Sequence, residues 1–264
     1  MTDPEYRIIE LIGMSAGGLV FLAEAKSGLR VAIKTVGTLA DGDTRYLERE
    51  FDVLSTLSHP HIVRVYDKFL LDGRLHFAME FVNGTSLDQF LDQHRSVIDA
   101  DVARVFLQLL DALDYLHSKR FVHGEVSPRN ILVSESGDVR LLDFEHCRRL
   151  DEAEPELWPS GTIAGIPIYM APEQMRGEEL HAEADYFVVG LLLLEHVRGQ
   201  HPLKRSQGFV QLWTAIAQPN EEAVAEWLHD LKSPLMELLR ELLSPRWERR
   251  RRGWTNLRAF LGTI

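Results

Sequence analysis

Apolar residues fall in short alternating or clustered runs through the first third of the chain, at Tyr6 to Ile12, Leu19 to Ala25 and Arg30 to Val36. Glycine-containing segments separate the runs, and the pattern predicts an antiparallel meander of strands. Between Asp43 and Leu57 the period changes. Tyr46, Leu47, Phe51, Leu54 and Leu57 recur at three- and four-residue steps, which places them on one face of a helix. His59-Pro60 ends it. Ile62 to Leu70 and Leu75 to Val82 read as two more strands, with Asp72-Gly73 as the hairpin turn.

Beyond Gly84 the pattern is mainly helical. Ser86 to His94 and Ala100 to Ser118 read as helices, the second with Val102, Val105, Phe106, Leu109, Leu113 and Leu116 as its apolar stripe. Ile131 to Ser134 and Val139 to Leu142 form a short strand pair around Gly137-Asp138, and the chain from Ala184 onward is expected to be helical. Phe187 to Leu194, broken only by Gly190, predicts a buried central helix and is far short of the ~20 residues that span a bilayer. A small β-rich part thus precedes a larger helical one, with the hinge near Val82 to Thr85.

Composition narrows this picture. The 264 residues suit one large domain or two small lobes sharing a cleft. A net charge of −11, from 29 Lys plus Arg against 40 Asp plus Glu, argues against a nucleic-acid footprint over the whole surface. One cysteine, Cys147, excludes an internal disulfide and any zinc site built on several thiolates. MTDPEYRIIE lacks the basic start and apolar stretch of a signal peptide, so a soluble, cytoplasmic chain without a membrane segment is expected.

Several weak chemical signals occur in order. Gly13 to Val20 is a glycine-bearing hairpin whose backbone N–H groups could approach polyphosphate, although a flexible turn reads as well. Val31-Ala32-Ile33-Lys34 follows on a strand, and Glu50 on the next helix could hold Lys34 against phosphate oxygens. With these, YLHSKRFVHGEVSPRNILV, LLDFE and IPIYMAPE resemble the catalytic loop, the metal-binding motif and the end of the activation segment of eukaryotic-type protein kinases. The resemblance covers essentially the whole chain.

It implies an α+β, bilobal protein-kinase fold, with a small antiparallel β lobe carrying one helix over residues 1–82 and a larger, mainly helical lobe over 83–264. It also implies ATP and Mg²⁺ as cofactors. Position by position, Gly13, Gly18 and Val20 match the nucleotide-covering loop, with Ser15 at its middle glycine. Ala32 and Leu132 match residues enclosing adenine, Lys34 the phosphate-binding lysine and Glu50 its partner. Met79 matches the gatekeeper and Glu80, Phe81 and Val82 the hinge; Asn130 and Asp143 match the magnesium ligands. Leu54, Val65, His123 and Phe144 match the apolar column between lobes, and Asp185 the anchor of the catalytic loop.

The departures fall on the acceptor side. His123-Gly124-Glu125 stands for His-Arg-Asp, so the catalytic carboxylate is one methylene longer and the arginine that clasps a phosphorylated loop is gone. Ser127 replaces the phosphate-steadying lysine, Arg129 stands where tyrosine kinases carry an arginine, and Ile166 replaces a threonine. Glu145 replaces the glycine of Asp-Phe-Gly, either facing solvent or perturbing the metal site. An atypical Ser/Thr-type kinase with Glu125 as its carboxylate is favoured. A pseudokinase serving as a nucleotide-responsive binding or scaffolding module and transfer to a non-protein acceptor both remain open. The expected partner besides ATP is a protein substrate or binding protein, not nucleic acid.

Other features read as structure first. His59 and His61 match a helix-to-strand connection rather than a metal pair, and Cys147 reads as inert packing. In the cluster Arg246, Arg249, Arg250, Arg251 and Arg252, one arginine is expected to pair with Glu173, with the choice left open. Asp151 to Glu156 carries four carboxylates in the activation segment, as a solvated loop, a lure for a basic partner or an internal mimic of phosphorylation; Ser160 and Thr162 are candidate phosphorylation sites.

Overall fold

The computed structural model describes residues 6–15, 18–36, 44–71, 73–94, 96–150, 165–203 and 209–264. Strands β1 (Tyr6–Ser15), β2 (Gly18–Ala25) and β3 (Arg30–Thr35) lead into helix α1 (Arg45–Ser55), followed by β4 (Val65–Leu71) and β5 (Arg74–Glu80). These strands form one antiparallel sheet in the order β1-β2-β3-β5-β4. Val31, Ile33, Ala23 and Ala78 pack on one face; Leu47 of α1 packs with Phe77 and Leu75 elsewhere on the sheet.

The helical part begins with β6 (Gly84–Ser86), α2 (Leu87–Asp92) and α3 (Ala100–Ser118). Asp99 caps α3, its carboxylate accepting from the N–H groups of Asp101 and Val102 at 3.1 and 2.9 Å. Then come β7 (Phe121–Val122), β8 (Ile131–Ser134), β9 (Val139–Leu141), β10 (Arg148–Arg149), α4 (Pro172–Arg176) and α5 (Glu183–Arg198). Helices α6 (Phe209–Ala217), α7 (Glu221–Leu228), α8 (Leu235–Leu242) and α9 (Trp247–Leu261) complete the fold. An antiparallel sheet followed by a helical region is the bilobal α+β architecture expected.

Helix α5 is apolar on all sides because it is buried on all sides: Phe187, Val189, Leu191, Leu193 and Leu194 are each at most 2% exposed. Each such side chain contributes about 1.5–3 kcal/mol of transfer free energy. A Cβ on Gly190 would lie 2.8 Å from Leu242 Cβ, so the glycine sets the close approach of α5 to α8. Among the described residues no helix is long and apolar enough to cross a membrane.

Several boundaries differ from the periodicity reading. The segment read as one strand from Ile62 starts at Val65, because Val63 N–H donates to Leu141 O (3.0 Å) and Leu141 N–H to His61 O (2.9 Å). Residues 61–63 thereby join β9 of the helical part. Helices α1 and α2 are shorter than their apolar stripes suggested. Strands β6, β7 and β10 are two or three residues long, too short to show a period.

Candidate active site

Register alone gathers several of the singled-out residues. Val20 pairs with Lys34, and Ala32 with both Leu22 and Met79. Directly paired residues and those two apart share a face, so Val20, Ala32, Lys34 and Met79 lie on the same side of the sheet. Gly13 sits within β1 opposite Val20 rather than in a loop. Gly18 has φ +151°, and a Cβ there would overlap the carbonyl of Thr35. That contact requires glycine whatever the loop binds.

On that face Lys34 joins the two halves of the molecule. Its Nζ donates to Glu50 Oε2 at 2.6 Å and to Asp143 Oδ1 at 3.0 Å, while Glu50 Oε1 accepts from the Phe144 N–H at 3.3 Å. Lys34 and Glu50 are 4% and 2% exposed. Burial alone would lower the Lys34 pKa, but the Asp143 and Glu50 carboxylates outweigh it and hold the ammonium charged. Burial would likewise raise Asp143, and Lys34 overrides it, keeping that carboxylate ionised. Asp143 takes a left-handed backbone, φ +60°. Leu54, His123 and Phe144 are buried between these elements, with His123 and Phe144 rings edge to face at 4.8 Å.

Asp185 organises the segment around His123 and Gly124. Its carboxylate accepts from the N–H groups of His123 (3.0 Å) and Gly124 (3.1 Å) and meets His117 Nε2 at 2.7 Å. Gly124 has φ +76°, a left-handed conformation that an arginine would adopt only with strain. Its carbonyl accepts from Gln174 Nε2 at 2.7 Å, tying the loop to α4. Glu125 Oε2 stands 3.5 Å from His146 Nε2. Burial, then the charges of Asp143 and Glu145, push the Glu125 carboxyl up to about 8. Asn130 Nδ2 donates to Glu125 O at 2.9 Å, which turns its carbonyl oxygen away from that contact. Ser127 is fully buried, and its Oγ has no hydrogen-bond partner among the described residues.

The remaining expectations divide. Glu80 turns its side chain to Arg140 of β9 (2.8 Å) and its N–H to Arg64 O (2.8 Å) just before β4, so that N–H is already used within the protein. Val82 follows the end of β5, and Leu132 lies on β8, paired with Ser86 and Arg140. Arg129 is exposed, and its charge acts on Tyr169, whose hydroxyl donates to Glu195 at 2.8 Å. Ile166 precedes a short 3₁₀ turn. Arg250 is the arginine that pairs with Glu173. His59 stacks on Tyr115 at 4.9 Å, and burial pushes the Cys147 thiol far up, so neither points to metal or redox chemistry. Asp151 to Glu156, Ser160 and Thr162 lie outside the described residues. His146 was not singled out from sequence; its distance from Glu125 along the chain hides the contact.

The donor set fits a hard divalent cation. Asn130 and Asp143 offer oxygens, and the nearby carboxyls of Glu50, Glu125 and Glu145 are pushed up, by burial first, while Lys34 pulls them down. Among the described residues no three His, Cys, Asp or Glu side chains converge as a metal cage. Mg²⁺ is ordinarily bound through one or two protein groups together with substrate phosphates.

A family model described as the protein kinase domain matches residues 6–258, and the chain belongs to that family. It is 32% identical over 202 residues to a probable serine/threonine-protein kinase PknB of Lactococcus lactis, covering 75% of this chain and 32% of that protein. Identity is 30% over 246 residues to serine/threonine-protein kinase ATG1a of Arabidopsis thaliana (90% and 38%). It is 29% over 256 residues to serine/threonine-protein kinase 36 of Mus musculus (96% and 19%). The chain thus spans less than half the length of these relatives.

Proposed function

We propose that this chain is an atypical Ser/Thr-type protein kinase that binds ATP with Mg²⁺ and transfers the γ-phosphoryl group to a hydroxyl. The observation that carries the reading is the buried linkage from Lys34 to Glu50 and Asp143, which brings the sheet, α1 and the metal-binding motif to one point. In this role Lys34 orients the phosphates, and Val20, Ala32, Met79 and Leu132 enclose the base, with Gly13 and Gly18 in the covering hairpin. Asn130 and Asp143 would hold Mg²⁺, which supplies charge neutralisation of the transferring phosphoryl group. Glu125, in its ionised form, orients the acceptor hydroxyl and takes its proton. The serine/threonine kinase names of the relatives support that acceptor class.

A second reading, a pseudokinase that binds nucleotide and presents a surface, is favoured by one feature. Ser127 is buried where a lysine would reach the phosphate, and its hydroxyl is turned inward. Wild type, Lys34→Met, Glu125→Ala and Glu125→Asp separate the two when radiolabelled transfer is measured beside Mg-ATP binding. Transfer lost in Lys34→Met and Glu125→Ala supports the enzyme. Tight ATP binding without transfer in wild type, with transfer gained only in Glu125→Asp, supports the binding module.

A further inference from the structure

Glutamate in place of aspartate adds one rotatable bond between the backbone and the reacting carboxylate. A freer carboxylate is more often misplaced, and a misplacement of ~1 Å can cost on the order of 100-fold in rate. The structure contains a device that bears on this problem. Glu125 Oε2 faces His146 Nε2 at 3.5 Å, both side chains being largely buried, at 16% and 12% exposure. On its other oxygen Glu125 is bounded by Gly165, where an added Cβ would stand 3.2 Å from Oε1.

The turn that carries His146 is itself held. Phe144 N–H donates to Glu50, Cys147 N–H to Phe144 O at 3.1 Å, and Arg49 Nη2 to Cys147 O at 2.7 Å. Two consecutive residues of α1 thus pin the turn. Its approach to the catalytic loop depends on Gly124, since a Cβ there would lie 2.9 Å from His146 O. The missing arginine side chain and the lengthened carboxylate are therefore parts of one arrangement: the first lets the turn come close, and the second reaches the imidazole that it brings.

We infer that His146 is a positioning residue for Glu125, donating from Nε2 to Oε2 and fixing the carboxylate in the direction of the acceptor hydroxyl. The inference rests on the enzymatic reading of Glu125, and it concerns orientation alone. Lys34 spends its hydrogen bonds on Glu50 and Asp143 rather than on this contact, so nucleotide affinity is not its target.

The test combines kinetics with a spectroscopic readout on the whole chain. His146→Ala is expected to lower kcat about 10- to 100-fold while KM for ATP stays within about twofold. His146→Gln, whose amide nitrogen reaches close to the place of Nε2, is expected to restore most of the loss. In a Glu125→Asp background, whose shorter side chain does not reach the imidazole, His146→Ala is expected to cause no further loss. An unchanged kcat in His146→Ala, or an equal loss in both backgrounds, overturns the inference. The ¹⁵N signals of the His146 imidazole are compared in wild type and Glu125→Ala as well. A shifted Nε2 resonance supports the contact, and an unmoved one overturns it. If wild type binds Mg-ATP but transfers nothing, the enzymatic reading fails by itself, and the imidazole signals still decide whether His146 holds Glu125.

Discussion

Arg250 and Glu173 stand 77 positions apart and meet as a buried fork, Nη1 to Oε1 at 2.6 Å and Nη2 to Oε2 at 3.0 Å. Arg250 is fully buried and also donates to the carbonyls of Ser244 (2.9 Å) and Glu183 (3.0 Å). Its guanidinium lies over the Phe187 ring at 4.9 Å. The pair joins α4, α5 and α9 at one place, where the guanidinium makes four hydrogen bonds.

Removing one partner leaves the other as a buried charge. Arg250→Met is expected to destabilise the fold by about 3–5 kcal/mol, read from the midpoint of denaturant unfolding. Arg250→Lys keeps the charge but loses the fork and is expected to recover less than half of that. Arg250→Met combined with Glu173→Met is expected to be more stable than Arg250→Met alone.

Asp143 serves both Lys34 and, on the proposed reading, the metal. Asp143→Asn keeps the size of the side chain and removes the charge. Calorimetric titration is expected to show Mg-ATP affinity falling at least about tenfold, or ~1.4 kcal/mol. Affinity for ATP without the metal is expected to change less, because the repulsion between Asp143 and the phosphates also disappears. Equal losses with and without Mg²⁺ would count against Asp143 as a ligand.

The Glu125 carboxyl, raised by burial to about 8, gives a pH signature without turnover. A carboxyl whose folded pKa exceeds its ordinary 4.5 binds its proton more tightly in the folded state. It contributes stability below 4.5, and that contribution is lost as pH rises through about 8. Glu125→Gln removes the dependence. Thermal melts without Mg²⁺ are therefore expected to show wild type losing stability relative to Glu125→Gln between pH 5 and 8.5. With Mg-ATP bound, the cation is expected to reduce the difference.

Gly18→Ala separates a structural glycine from a nucleotide-binding one. The new Cβ would strike the Thr35 carbonyl in β3, at a φ that alanine rarely adopts. The expected loss is about 1–3 kcal/mol of stability in the absence of any nucleotide. Stability equal to wild type, with only ATP affinity reduced, would contradict the steric account.

Much of the fold was legible because its signals are local. Helix α3 runs from Ala100 to Ser118 as its apolar stripe indicated, and β8 spans Ile131 to Ser134 as read. Where periodicity failed, partners distant in sequence had won. Residues 61–63 carry strand-like residues, but their backbone pairs with Leu141 instead of continuing β4. For the candidate site, the order of Lys34, Glu50, Asn130 and Asp143 pointed to one chemistry, and the fold brings Lys34, Glu50 and Asp143 into contact.

What the amino-acid sequence determined by itself was the type and order of elements and the identity of the charged groups. Hydrophobic period and glycine placement act over a few residues and need no knowledge of the chain's path. Which groups meet was decided by tertiary structure. Five arginines near the C-terminus look interchangeable, and only the packing of α9 against α5 selects Arg250 for burial with Glu173. Gly124 and Glu125 read as separate substitutions, and their link to His146 exists only because the turn after Asp143 comes down beside their loop. A charge's effect depends on distance and on exclusion of water, and both are properties of the folded chain.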